Sequence, residues 1–87
     1  MPYFVYLLEC ADGSYYCGYT SDIGKRIAAH NAGTGARYTR SRRPVKLVYC
    51  EGIRTRKAAM KREIEVKTFT KLEKRVLVRG WHGKEKQ

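Results

Sequence analysis

Two short segments rich in strand-forming residues, Tyr3 to Cys10 and Tyr15 to Tyr19, are separated by the turn sequence Ala11-Asp12-Gly13. β-Branched and aromatic residues favour strands, and an Asp-Gly pair between two such runs favours a tight turn. The sequence therefore predicts an antiparallel hairpin. This hairpin constrains the fold more than any other feature, because its register decides which face of the sheet each side chain occupies.

The length of the turn decides whether Tyr6 and Tyr16 share a face of the hairpin. A two-residue turn would place the two tyrosines on opposite faces, because side chains alternate along a strand. A three-residue loop, with Gly13 in the left-handed region as a bulge, pairs Tyr6 with Gly18 instead. We predict this second register, in which Tyr6 and Tyr16 are diagonal neighbours and Gly18 leaves room beside the Tyr6 ring.

The rest of the chain predicts one more strand and three helices. Thr20, Ser21 and Asp22 offer N-caps for a first helix that ends near Gly33, the strand runs from Val45 to Ile53, and Thr55 caps a second helix that reaches about Thr68. We therefore predict an α+β domain of order β-β-α-β-α-α. Its three-stranded sheet should be mainly antiparallel and flanked by helices.

The predicted third helix has the clearest signals. Thr70 and Glu73 match a capping box, Leu72 and Val76 are expected to supply its apolar contacts, and Gly80 is expected to end it in the left-handed conformation. At 87 residues the chain has room for one domain, which we expect over 1–80, with 81–87 as a short, flexible basic tail.

Composition indicates the kind of partner. The chain has 19 Lys and Arg against 8 Asp and Glu, a net charge of +11, which predicts a polyanionic partner such as nucleic acid. It has no apolar run long enough to span a membrane and no secretory signal, so a cytoplasmic location is expected. Cys10, Cys17 and Cys50 have no C-x-x-C spacing and are expected to be reduced, with neither disulfide nor zinc.

Arg26 and His30 lie four residues apart and so share one side of the first predicted helix. His30 is close to the apolar stripe of Ile23 and Ile27, and Arg26 lies at the edge of that stripe. Two interpretations stay open on this spacing: a pair of functional side chains, or a solvated arginine beside a boundary histidine.

Glu63 falls near the middle of an apolar sector of the second predicted helix, which Ala59, Met60, Ile64 and Val66 define. A carboxylate in that position must be paired, hydrogen-bonded or bound to a metal, because burying it alone costs several kcal/mol. A plain ion pair with Lys67, one turn later, is the alternative to a metal ligand. Glu65 lies nearer the polar side and serves as an ordinary surface glutamate for comparison.

Four arginines crowd one predicted loop, accompanied by a tyrosine: Arg37, Tyr38, Arg40, Arg42 and Arg43. Guanidinium groups suit phosphate oxygens because they donate paired hydrogen bonds. We predict that these residues contact nucleic acid, with Gly18 and Lys67 as further contacts, and a solvated basic loop is the alternative.

The order of these motifs resembles the GIY-YIG endonuclease domain, which is seen in the excinuclease C subunit and in phage homing endonucleases. The resemblance rests on Val5-Tyr6, Tyr16-Cys17-Gly18, Arg26-x-x-x-His30 and a helical Glu63. It is closest to the small stand-alone bacterial proteins of that superfamily and covers about residues 3 to 78. Phe4 and Cys17 stand where the motif that names the family has glycine and isoleucine.

The resemblance implies a Mg²⁺- or Mn²⁺-dependent endonuclease that cleaves DNA with little sequence specificity, in repair or recombination. It implies that Tyr6 is the general base, Tyr16 orients the water or phosphate, Arg26 stabilises phosphate charge, His30 assists by hydrogen bonding, and Glu63 holds one divalent ion. Arg26 and the metal are expected to lower the pKa of Tyr6. A DNA- or RNA-binding module without turnover is the alternative, and a basic adaptor for an acidic protein is a third reading.

Overall fold

A three-stranded antiparallel sheet forms the centre of the structure, a computed structural model that describes residues 2–81. Its strands are β1 (Tyr3–Glu9), β2 (Tyr15–Thr20) and β3 (Lys46–Ile53), in the spatial order β2-β1-β3. The central position of β1 makes β2 an edge strand. Side chains from both faces of β2 can therefore reach the same open edge.

Four helices accompany the sheet. They are α1 (Ile23–Ala32), α2 (Arg37–Arg40), α3 (Arg56–Lys67) and α4 (Lys71–Gly80). The α+β class and the predicted order of strands and longer helices are confirmed. The single turn α2 is an addition, since it lies inside the stretch that the sequence predicted to be a basic loop. None of these helices is both long and apolar enough to cross a membrane, within the range 2–81.

The hairpin adopts the predicted register, with Tyr6 opposite Gly18 and Leu8 opposite Tyr16. Gly13 has a φ of 84°, in the left-handed region that glycine tolerates best. The Gly13 N–H donates to the Cys10 carbonyl at 2.9 Å, and the Cys10 N–H donates to the Ser14 carbonyl at 2.8 Å. The three-residue bulged loop is therefore confirmed, and Tyr6 and Tyr16 lie on the same face.

The two faces of the sheet carry separate apolar cores, as the alternation of side chains requires. Val5, Leu7 and Cys17 pack under α3 with Ala59 and Val66. Tyr6, Leu8, Cys10 and Val45 form the opposite core, against which Ile23 and Ile27 of α1 pack. Cys10 and Cys17 are thus on opposite faces, as predicted, and all three cysteines are free thiols.

The predicted helix starts are confirmed by their capping bonds. The Asp22 carboxylate accepts from the Lys25 N–H at 3.0 Å at the start of α1, and Gly33 ends that helix with a φ of 86°. The Thr55 hydroxyl accepts from the first turn of α3. Thr70 and Glu73 form the predicted capping box of α4.

Two predictions for α4 were wrong. Leu72 and Val76 are 68% and 64% exposed, and Leu77 and Val78 contact the core instead. Gly80 is the last residue of the helix, and the C-cap Trp81 has an extended backbone with a φ of −91°, so no left-handed glycine stops the helix. The helix rests on the sheet along one narrow stripe near its C-terminal end, which capping signals do not specify. Most of the predicted basic tail, 82–87, lies outside the described residues.

Candidate active site

A cleft of about 400 Å³ runs along β2, the edge strand of the sheet. Its walls combine side chains from both faces of the hairpin with others from α1 and α3: Tyr3, Tyr6, Tyr16, Gly18, Tyr19, Thr20, Ser21, Arg26, Arg56 and Glu63. The fold therefore brings together four of the five residues proposed to be catalytic, and the fifth, His30, lies directly behind Tyr6.

Gly18 gives the Tyr6 hydroxyl its place in the cleft. A Cβ atom built on Gly18 would lie 2.5 Å from the Tyr6 Oη and 2.7 Å from the carbon that carries it. The phenol therefore fills the space that a side chain on the edge strand would take. The predicted role of Gly18 in making room for Tyr6 is confirmed, whereas its contact with nucleic acid stays a prediction.

His30 is buried, with 1% of its surface exposed, and both of its ring nitrogens have partners. Its Nε2 lies 3.1 Å from the Tyr6 Oη, and its Nδ1 lies 2.8 Å from the Thr39 Oγ1. The Thr39 hydroxyl in turn lies 3.0 Å from the Ala36 carbonyl oxygen. A continuous chain of hydrogen bonds thus leads from the cleft, through the core, to the backbone before α2.

The acceptor at the end of this chain favours one direction for its protons. A carbonyl oxygen can only accept, so the Thr39 hydroxyl donates to Ala36 and accepts from the Nδ1–H of His30. The unprotonated Nε2 then accepts from the Tyr6 hydroxyl. The opposite tautomer carries its proton on Nε2 and needs a donor to Nδ1. The Ala36 N–H is such a donor, but its distance to Nδ1 is longer, at 3.4 Å.

The pKa of Tyr6 is raised, which is opposite to the expected direction. Burial, followed by the neighbouring Tyr16, raises the pKa of Tyr6 well above its usual range, and the lowering effect of Arg26 is smaller. Burial also raises the pKa of Tyr16. Both phenols are therefore protonated at neutral pH. Arg26 lowers the pKa of Tyr6, as expected, but burial outweighs this effect. Burial, and secondarily Arg26, lower the pKa of His30, which is neutral.

Glu63 lies on the inward side of α3, as predicted, with its side chain 19% exposed. Ala59 and Val66 define that side, whereas Met60 and Ile64, which the sequence placed in the same sector, are exposed. The Lys67 Nζ lies 3.6 Å from the Glu63 carboxylate. The predicted ion pair is therefore present, and it leaves the carboxylate facing the cleft.

The α2 turn is held against the hairpin by stacked side chains. The rings of Tyr16 and Tyr38 stack with centroids 5.9 Å apart, and the Arg42 guanidinium lies 3.9 Å from the centroid of Tyr38. Arg42 also pairs with Asp12 of the hairpin loop at 3.0 Å. These contacts fix α2 beside Tyr16, next to the cleft.

The four arginines predicted to bind nucleic acid divide into two kinds. Arg42 and Arg43 donate to backbone carbonyls, Tyr38 O at 2.8 Å and Arg40 O at 2.8 Å, and so shape the loop. Arg37 and Arg40 are exposed and form no ion pair within residues 2–81. Contact of any of them with nucleic acid stays a prediction.

Thr39 and Arg56 are among the residues of this site that were not predicted from the sequence. Thr39 lies among the arginines of the predicted basic loop, and no spacing rule links it to His30. Arg56 is the first residue of α3, directly after the N-cap Thr55. Charged residues are common at this position, so the sequence alone does not indicate that Arg56 belongs to a site. Both become visible only when the hairpin, α2 and α3 are placed together.

The sequence matches the family model described as GIY-YIG catalytic domain over residues 2–75. A UPF0213 protein of Staphylococcus aureus is 49% identical over 77 residues, which are 88% of this chain and 94% of that protein. The solution NMR structure of the UPF0213 protein of Bacillus halodurans is 44% identical, with a TM-score of 0.60, over 95% of this chain and 88% of that one.

A second solution NMR structure, of a protein from E. faecalis, is 40% identical with a TM-score of 0.59 and covers 88% of this chain and 83% of that one. The family model spans most of the chain, and it includes every residue that the resemblance placed in the site. The chain therefore belongs to the GIY-YIG family, together with the UPF0213 proteins.

Proposed function

We propose that the chain hydrolyses phosphodiester bonds in DNA as a metal-dependent endonuclease with low sequence specificity. Family membership implies a nuclease-type domain and a nucleic-acid substrate. The observation that carries the proposal is the buried chain of hydrogen bonds from Tyr6 through His30 to Thr39. Because of it, the Tyr6 hydroxyl lies in the cleft with a proton acceptor next to it, and Arg26 and Glu63 line the same cleft. Action in the cytoplasm, in repair or recombination, is part of the proposal.

The residues of the cleft fit one hard divalent cation. Mg²⁺ is commonly bound by one or two carboxylates together with waters and substrate phosphate oxygens, and Glu63 is the carboxylate that lines the cleft. No group of three or more His, Cys, Asp and Glu is found within residues 2–81, so substrate oxygens and waters would complete the shell. Such an ion would neutralise charge that develops on the phosphate.

The hydrogen-bond chain explains how a protonated Tyr6 can take part in the reaction. The attacking water gives a proton to the Tyr6 Oη as its oxygen bonds to phosphorus, and the Tyr6 proton moves to the His30 Nε2 at 3.1 Å. The Thr39 hydroxyl keeps accepting from the Nδ1–H and holds the ring in place. The leaving oxygen takes its proton from solvent as its bond to phosphorus breaks.

Arg26 and Tyr16 complete the proposed site. The exposed Arg26 guanidinium is free to pair with a phosphate oxygen, and its charge is then partly neutralised. Because that charge lowers the pKa of His30, substrate binding makes His30 a better proton acceptor. The protonated Tyr16 donates a hydrogen bond that orients the water or the phosphate.

The raised pKa of Tyr6 favours one second candidate, a nucleic-acid-binding module without turnover. Such a module would use the same cleft and the same basic residues to bind DNA or RNA. It would need neither the Tyr6 proton path nor a metal at Glu63.

A nicking assay on supercoiled plasmid separates the two candidates. The wild type should cleave with Mg²⁺ and not with EDTA, and Glu63→Gln should slow cleavage by about 100-fold or more, as expected for the loss of a charged group at a reacting centre. Glu65→Gln is the matched control, because Glu65 lies on the same helix but outside the cleft. Equal cleavage by the wild type and Glu63→Gln would contradict the enzyme proposal, and tight binding without cleavage would favour the module.

A further inference from the structure

The cleft extends beyond the residues assigned to the chemistry. One part is lined by Tyr6, Tyr16 and Glu63. The second part, here called the extension, lies past Gly18 and is lined by Tyr3, Tyr19, Thr20, Ser21 and Arg56. Tyr16 and Tyr19 are three residues apart on β2, about 10 Å at the rise of a strand. A nucleic-acid strand carries one charge per about 3.4 Å of helix axis, so this length spans more than one phosphate.

Arg56 is the cation of this extension. It is the first residue of α3, it lines the cleft, and it is exposed. Tyr3 and Tyr19 line the same cleft as Arg56. Arg56 forms no ion pair with a carboxylate within residues 2–81, so its charge is available to an anion.

The chemistry of the extension suits a phosphodiester. Its polar groups are a guanidinium and hydroxyls, from Arg56, Tyr3, Tyr19 and Ser21, and all of these can donate to phosphate oxygens. Glu63, the single carboxylate among the described residues that line the cleft, belongs to the proposed reacting centre. No acidic residue lines the extension within residues 2–81, and Arg26 supplies a second positive charge in the same cleft.

We propose that Arg56, with Tyr3, Tyr19 and Ser21, forms a second phosphate site, which binds a backbone phosphate adjacent to the one that is cleaved. This site deepens the proposed nuclease function and rests on it. Arg56 thereby positions the strand, so that the scissile phosphate lies at Tyr6 and Glu63.

Binding of an end-labelled DNA duplex, followed by fluorescence anisotropy in EDTA over a series of salt concentrations, tests the site without any need for turnover. Loss of one phosphate contact should lower the magnitude of the slope of log K against log[salt] by about 0.9, and the affinity by about eightfold near 0.1 M salt. Arg56→Ala should show both effects, and Arg56→Lys should restore most of the slope because it keeps the charge.

Lys57→Ala is the matched control. Lys57 is the next residue of the same first helical turn, it is also exposed and positively charged, and it does not line the cleft. We expect a clearly smaller loss of affinity and of slope for Lys57→Ala. Equal effects of Arg56→Ala and Lys57→Ala, or none for either, would overturn the second phosphate site. The nicking assay with Glu63→Gln is unaffected by that result, so failure of this site and failure of the enzyme proposal are distinguishable.

Discussion

At the scale of single residues, Gly18 decides whether the Tyr6 hydroxyl can reach the cleft. We predict that Gly18→Ala destabilises the protein by about 1–3 kcal/mol, as overpacking does, and abolishes cleavage, because the new Cβ would lie 2.5 Å from the Tyr6 Oη. Urea unfolding and the nicking assay measure the two effects.

Gly52→Ala is the control for this prediction, since Gly52 is also a strand glycine and its nearest neighbour, a Phe4 ring carbon, lies 3.9 Å from the ideal Cβ. We expect Gly52→Ala to leave cleavage intact and to change the free energy of unfolding by less than about 1 kcal/mol. If the two alanine variants behaved alike, the close approach of Tyr6 to Gly18 would not be the cause.

The neutral state of His30 predicts how stability depends on pH. Burial, and secondarily Arg26, lower the pKa of His30 below its usual value of 6.5. Between the lowered folded value and 6.5 the unfolded chain binds a proton that the folded protein does not, so this residue makes the free energy of unfolding fall as the pH drops below 6.5. The slope is limited to about 1.4 kcal/mol per pH unit for one proton.

Urea unfolding between neutral and mildly acidic pH measures this slope. His30→Gln removes the titrating group, so its stability should depend less on pH in that window, whatever its absolute stability. The carboxylates titrate in both proteins and cancel in the comparison. Identical slopes for the wild type and His30→Gln would mean that His30 is not held neutral by its surroundings.

The Asp12-Gly13 turn could be predicted from the sequence, which allowed a two-residue or a three-residue loop. The three-residue bulged loop at Gly13 fixes the hairpin register, and the register places Tyr6 and Tyr16 on one face. The direction in which the pKa of Tyr6 shifts could not be predicted from the turn. It depends on how deeply His30 and α1 bury the phenol, and burial depth is a property of tertiary packing that local sequence does not encode.

At the scale of secondary structure, α2 links the basic loop to the proposed proton path. We predict that Thr39→Val costs about 1–3 kcal/mol of stability and slows cleavage, because it leaves the buried Nδ1 of His30 without its 2.8 Å partner while keeping the side-chain volume. Denaturant unfolding and the cleavage rate provide the two measurements.

Thr34→Val is the control for Thr39→Val. The Thr34 hydroxyl also donates to a backbone carbonyl, that of Ala29 at 3.2 Å, but at an exposed position. Its loss should stay within about 0.5 kcal/mol. Were Thr34→Val as damaging as Thr39→Val, a general sensitivity of this loop would explain the result better than the contact with His30.

Helices with side-chain caps were predictable, and the others were not. Asp22, Thr55 and Thr70 mark their helices through short-range bonds that follow from residue type and spacing. The single turn α2 has no side-chain cap and is too short for a hydrophobic period, so its position depends on contacts of Thr39 and Tyr38 with distant residues. The buried face of α4 was assigned wrongly because Leu72 and Leu77 are equally apolar, and only the sheet beneath distinguishes them.

At the scale of the whole molecule, the acidic residues within residues 2–81 form ion pairs or cap helices, and most of the positive charges have no acidic partner there. Within residues 2–81, Glu9, Asp12, Glu51, Glu63 and Glu65 form ion pairs, whereas Asp22 and Glu73 cap helices. Exposed cations remain on α1, on α2 and on the first turn of α3, around the cleft. Arg26 and Arg56 line the cleft, and the net charge of +11 is shared with exposed cations that do not line it, such as Arg54, Arg75 and Arg79.

This distribution predicts affinity that depends strongly on salt and weakly on sequence. The candidate phosphate contacts are Arg26, Arg37, Arg40, Arg56 and Lys67, and about five such contacts give a slope of log K against log[salt] near −4.5 for duplex DNA. Affinity should then fall roughly 500-fold between 50 and 200 mM salt. Anisotropy titrations with duplexes of equal length and unrelated sequence provide the measurement. A slope near zero would contradict a phosphate-based interface, and a large preference for one sequence would show that base edges are read as well, because phosphate contacts alone carry no direct sequence information.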